Sequence, residues 1–174
     1  MTALNRANIE VLGQLKELLT CCHSLYCRVH GSSVAGIGEH VRHVLDHYRA
    51  FQAGMVSDCI DYNYRTRNSI EETDPLIALQ HIDGLIEWLA GNALMPATIQ
   101  VISEINLQDS QSETMLSTPA RELLYLINHS IHHMAYAALL AKTNGITVPA
   151  YIGLAPSTVN FHRSTQERHS YASN

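Results

Sequence analysis

Apolar positions recur with a helical period through most of the chain, and breaks in that period divide it into four long elements. From Leu4 to Val29 the stripe runs through Val11, Leu15, Leu18, Cys22 and Leu25, which predicts one amphipathic helix. Gly31-Ser32-Ser33 reads as its stop. A second helix is predicted over residues 36–54, with Ile37, Val41, Val44, Leu45, Tyr48 and Phe51 facing inward. Thr73-Asp74-Pro75 opens a third, because Thr or Asp can cap and Pro suits the first turn. Its stripe is Leu76, Leu79, Ile82, Leu85, Ile86 and Leu89, and Met95-Pro96 breaks it. Thr118-Pro119-Ala120-Arg121-Glu122 starts a fourth helix, which runs to about Asn144 and stops at Gly145.

Two stretches depart from this period. Residues 99–105 are β-rich, Asp109-Ser110 looks like a turn, and residues 113–117 can pair back, so a short β-hairpin is predicted before the fourth helix. Residues 58–68 are polar and aromatic and read as an irregular connection, too polar for a core element. The tail from Ile146 carries Pro149 and Pro156 and is expected to wrap the helices. Residues 163–174 turn polar and are expected to fray. The fold class expected is all-α, a four-helix bundle with one hairpin, forming a single domain over residues 1–162.

Composition narrows the class. Hydrophobic residues make up 46% of the 174 and charged residues 16%, so the chain folds around a core. Net charge is −5 with no cluster of Lys or Arg, which argues against a nucleic-acid partner. No apolar run reaches the roughly 18–20 residues of a membrane span and no secretory segment opens the chain, so a cytoplasmic location is expected. Three of the four cysteines crowd the first helix, a pattern of reduced thiols and not of a disulfide framework.

Histidine changes the picture. There are 11, as many as Lys and Arg together, and six fall into two clusters. His129 and His133 are four apart, hence one turn apart on one helical face with Cβ atoms about 5–6 Å from each other. Two imidazoles so placed can hold one metal ion. Their neighbours Leu126, Tyr136 and Leu140 suggest that this face looks inward, whereas His132 points away. On its own the pair would be read as buried, hydrogen-bonded histidines. The second helix alters that, because His40, His43 and His47 share one face at i, i+3 and i+7. Two histidine stripes make a poor core unless something compensates the buried imidazoles. A metal drawing two nitrogens from one helix and one from the other is such a compensation. His43, in the middle of its face, is the choice for the third ligand and His47 stands in reserve. Asp46 can accept the free N–H of a ligand histidine, while Glu39 reads better as surface charge.

At these residues the chain resembles the DinB/YfiT-like superfamily, whose members are four-helix bundles, often dimeric, holding zinc or nickel through three histidines. Its second-helix signature is matched by Gly36-Ile37-Gly38-Glu39-His40-Val41-Arg42-His43, which puts the ligand on His43. The fourth-helix His-x-x-His-His is matched by residues 129–133, with the outer two as ligands. Many members continue Arg-Gly-Gln after the last ligand, where this chain has Met134-Ala135-Tyr136. The resemblance implies one divalent metal ion, a homodimer and a small-molecule substrate. It further implies thiol transfer or hydrolysis, with a low-molecular-weight thiol as one candidate cosubstrate. Arg65 and Arg67 are candidate anchors for an anionic group, against the alternative of ion pairs with Glu71, Glu72 or Asp74. The rival function is a non-catalytic, stress-associated protein with a structural ion.

Overall fold

The computed structural model describes residues 1–27, 35–91 and 96–172, with side chains described as far as Thr165. The stops expected at Gly31-Ser32-Ser33 and at Met95 lie outside these residues. The fold is mostly helical with a small three-stranded sheet. In chain order the elements are α1 (Ala3–Cys21), α2 (Ile37–Ser57), β1 (Cys59–Asp61), α3 (Pro75–Gly91), β2 (Ile99–Glu104), β3 (Ser112–Ser117), α4 (Pro119–Thr143) and α5 (Pro156–Ala172), with one 3-10 turn at Ile70–Glu72. No helix among the described residues is long and apolar enough to cross a membrane.

The local chemistry of the ends fits the sequence. Thr2 caps α1 and Thr118 caps α4, its hydroxyl accepting from the Arg121 amide at 3.2 Å. Asp74 accepts from the amides of Leu76 and Ile77 at the start of α3. Each cap satisfies a backbone donor that the helix itself leaves unpaired. At α2 the Glu39 carboxylate accepts from the Gly36 amide at 2.6 Å, so this acid serves the helix start.

α1 packs on α3 and α4, and α2 packs on α4 and α3. The shared core includes Leu12, Leu15, Leu18, Val41, Leu45, Tyr48, Phe51, Ile82, Leu89, Leu123 and Leu126, all essentially without solvent contact. The expected stripes supply most of it, but Leu76 is exposed. α1 ends at Cys21 and the chain passes through turns to Cys27, so the predicted first helix was too long. The four cysteines are free thiols.

Two further expectations are corrected. The stretch after α2 is not wholly irregular: Cys59–Asp61 forms β1, which pairs in parallel with β2, Ile60 opposite Val101. Ile60 and Tyr62 are buried and join the core. The expected hairpin is β2–β3, paired from Ile99–Ser117 to Glu104–Ser112, and the fold therefore carries a mixed sheet. The tail, expected to fray after His162, is helical as α5. It reaches α5 through Gly153, whose φ of +80° suits glycine and whose missing side chain lets the tail lie on α4: an added Cβ would sit 2.6 Å from the Ala135 Cα.

Candidate metal centre

α2 and α4 pack side by side, and their histidine stripes meet between them. One nitrogen from each of His43, His129 and His133 lies within 4.8 Å of the other two. Ring centroids are 5.0 Å apart for His43–His129 and 4.5 Å for both His43–His133 and His129–His133. The residues singled out from the sequence thus converge, and the group contains neither His40 nor His47.

Burial governs their protonation. Desolvation is the largest influence on each ring, reinforced by its histidine neighbours and the positive charge of Arg65. His43 and His129 are pushed from the ordinary 6.5 to about 2, and His133 to about 3. All three are neutral near pH 7, the form in which imidazole ligates a metal. Nε2 of His129 is buried with no hydrogen-bond partner among the described residues. An unpaired buried nitrogen costs stability, and a cation beside it would relieve that cost. The donor set therefore fits a divalent ion.

His47, the reserve residue, is buried beside the trio and outside it. Its Nδ1 lies 3.0 Å from the His43 carbonyl, an acceptor, so this nitrogen donates and Nε2 carries the lone pair. Its ring stacks on His129 at 3.9 Å and on Tyr62 at 5.1 Å. Burial pushes His47 down to about 4, opposed by the hydrogen bond to the His43 backbone. His132 is exposed on α4, as expected.

The carboxylate expected to support a ligand histidine is used elsewhere. Asp46 accepts from Arg42 Nη1 at 3.1 Å and from the amide and hydroxyl of Thr66 at 3.1 and 2.5 Å. The arginine alternatives also separate. Glu72 accepts from Arg42, Glu71 pairs with Arg49 and His81, and Asp74 caps α3. Arg65 and Arg67 are exposed and form no hydrogen bond or ion pair among the described residues. Arg65 is close enough for its charge to act on His43, His47, His129 and His133 alike.

Sequence reasoning missed the aromatic wall of the site. Tyr125 stacks on His129 at 5.4 Å and meets Tyr62 at 5.1 Å, and Arg121 lies 5.4 Å over its ring. The buried Tyr62 hydroxyl donates to the fully buried Glu122 at 2.9 Å. Tyr125 stands four residues before His129, so its place on the ligand face was available from helical spacing. The polar, aromatic stretch around Tyr62 stood out in the sequence, but nothing local placed its ring against the histidines.

The comparisons with known proteins bear on this centre. The DinB family model matches residues 26–167, both histidine helices included. A protein named FK506-binding protein 5 from Rhizopus delemar is 30% identical over 113 residues, which are 64% of this chain and 29% of that protein. The chain thus matches less than a third of that relative's length. No solved structure gives a significant match.

Proposed function

Since the chain belongs to the DinB family, we propose that His43, His129 and His133 hold one divalent ion, zinc or nickel, in a metal-dependent enzyme for small molecules. We read the packing of α1–α4 as the family's four-helix bundle. The single observation that carries the reading is the convergence of three neutral imidazoles from two helices on one point, one of them with a buried, unpaired nitrogen. Zinc centres with three protein ligands characteristically keep a position for water or substrate. When bound, such an ion supplies Lewis acidity and lowers the pKa of a coordinated water or thiol.

The chain's own residues supply the rest. α2 and α4 fix the three rings, and Tyr62, His47 and Tyr125 exclude water from one side. Arg65, exposed, without an ion-pair partner among the described residues and acting electrostatically on His43, His47, His129 and His133, is suited to hold the anionic end of a substrate. Arg67 is exposed on the same connection. A small thiol carrying a carboxylate would satisfy both the ion and Arg65, which makes thiol transfer the leading reaction and hydrolysis the next.

The test loads the protein with cobalt and titrates small thiols. A sulfur-to-metal charge-transfer band is expected, weaker in an Arg65→Ala, Arg67→Ala double variant of equal metal content. No spectral change at millimolar thiol would remove thiol transfer. His47 motivates the rival reading, a structural ion. Its Nε2 lone pair is adjacent to the trio, and if it joined the shell four protein ligands would close the centre. Cobalt spectra insensitive both to thiols and to anions would favour that reading.

A further inference from the structure

His40 belongs to no ligand set described so far, yet it touches one of the three rings. Its Nδ1 lies 2.9 Å from Nδ1 of His133, across the gap between α2 and α4. The rings are 5.2 Å apart and inclined at 47°. On its other side His40 stacks on Tyr136 at 5.7 Å and 13°. Two imidazole nitrogens at this distance share one proton, one ring donating and the other accepting, and only two arrangements exist.

Either His133 donates its Nδ1–H to His40, or His40 donates to His133. In the first case His133 has its lone pair on Nε2. In the second its Nε2 carries the proton, and neither nitrogen of His133 is available to a cation. The direction of one hydrogen bond thus decides whether the third member of the trio can ligate.

We propose that His40 is a positioning residue that accepts the Nδ1–H of His133, holding that ring in the tautomer that offers Nε2 to the metal. The inference rests on the metal reading for its purpose, but its structural content stands in the protein without metal. Carboxylates and carbonyls commonly take such a role beside ligand histidines. Here the nearby candidate carboxylates are committed, Asp46 to Arg42 and Thr66 and Glu39 to the Gly36 amide. An imidazole on the ligand face one turn before His43 fills the place.

The experiment compares wild type with His40→Phe and His40→Asn. Phe keeps an aromatic ring against Tyr136 and removes the acceptor, while Asn restores an acceptor oxygen near the Nδ1 position. Long-range proton–nitrogen NMR of the metal-free proteins reads the tautomer of His133, assigned with a His133→Gln variant. The expected result is the Nδ1–H tautomer in wild type, a mixture or the other tautomer in His40→Phe, and recovery in His40→Asn. Zinc affinity should fall about 10–100-fold in His40→Phe, the usual scale for losing such a partner, and recover in His40→Asn.

An Nε2–H tautomer in metal-free wild type, or a tautomer indifferent to His40→Phe, overturns the inference. So does a cobalt spectrum showing one ligand fewer in His40→Phe while NMR still reports the Nδ1–H tautomer of His133, because His40 would then be a ligand itself. Failure of His40→Asn to restore the tautomer overturns it as well, leaving only a packing role. Wild type that binds no zinc would defeat the metal reading and leave the tautomer assignment to be decided by NMR. If His40→Phe does not fold, His40→Asn against wild type still decides: retention of the Nδ1–H tautomer supports the inference and its loss overturns it.

Discussion

α2 carries two buried polar clusters on different faces, and they are built on opposite principles. On one face Arg42, Asp46 and Arg49 meet Glu71, Glu72 and Thr66, and each carboxylate is engaged more than once. The His81 ring and the Asn68 amide add contacts to Glu71 and Glu72. The 3-10 turn that supplies the acids reaches α2 because Gly38 has no side chain: a Cβ there would collide with the Glu72 carbonyl oxygen at 2.0 Å. On the other face His43, His47, His129 and His133 press ring on ring, and Nε2 of His129 has no partner. A cluster of complementary charges completes itself. The cluster of imidazoles leaves one buried nitrogen unanswered among the described residues, and that difference separates a structural network from a candidate site.

The largest expected effect tests the incomplete face. His129→Ala should weaken zinc or nickel binding by more than the roughly 10–100-fold typical of losing a supporting residue, while His132→Ala leaves it nearly unchanged. Elemental analysis and titration with a chromophoric chelator check both. Equal losses would put the wrong face of α4 at the site.

The complete face should behave differently. Asp46→Ala removes the partner of a buried arginine and should destabilise the metal-free protein by about 3 kcal/mol. Denaturant unfolding of the protein with and without zinc should show the same loss in both. If the loss appeared only in the presence of metal, the two clusters would be one functional unit and the contrast would fail.

Chelation tests the same contrast without a mutation. An ion at about 100 times its Kd stabilises the folded state by about 2.7 kcal/mol, and removing it should lower Tm accordingly. Asp46→Ala protein should respond to chelator as wild type does. A Tm indifferent to chelator would make the histidines ordinary core residues.

The smallest effect is a separation of pH windows. His43, His129 and His133 have folded values far below 6.5, so the unfolded chain takes up protons first. Their contribution is complete above about pH 6.5 and is lost as pH falls through about 3 for His133 and toward about 2 for His43 and His129. Burial would raise the Glu71 carboxyl, but its own backbone amide and the Arg49 guanidinium hold it near 2. Its contribution is complete above about pH 4.5 and is lost as pH falls toward 2. Metal-free protein should therefore begin to lose stability near pH 6.5, and a His43→Leu, His129→Leu variant should delay that onset. An unchanged onset in acid unfolding curves would assign the loss to other groups.

How much of this was legible follows from the range of the forces involved. The two histidine stripes could be read because ligands on one helix face obey a spacing of three or four residues, and each stripe is local. The meeting of His40 with His133 could not, since it depends on how two helices distant in sequence are rotated against each other. β1 escaped because three residues give no period, and because Val101, the partner of Ile60, lies 41 residues away in a parallel pairing. α5 escaped for another reason. Its mean hydropathy is low and no apolar stripe marks it, so its helical backbone left little trace in the pattern.

The sheet described with the fold has a consequence for the tolerance of the centre. β1 follows directly from the end of α2, and β3 runs into Thr118 and the start of α4. β2 lies between them. Two strand spacings of about 4.8 Å come to nearly the 8–10 Å that separates packed helix axes. The sheet thus works as a calliper, clamping one end of the two histidine helices at a set gauge. Metal ligands accept errors of only about 0.2 Å in distance, so the gauge matters as much as the ligands, and it is cut from strands that hold no histidine.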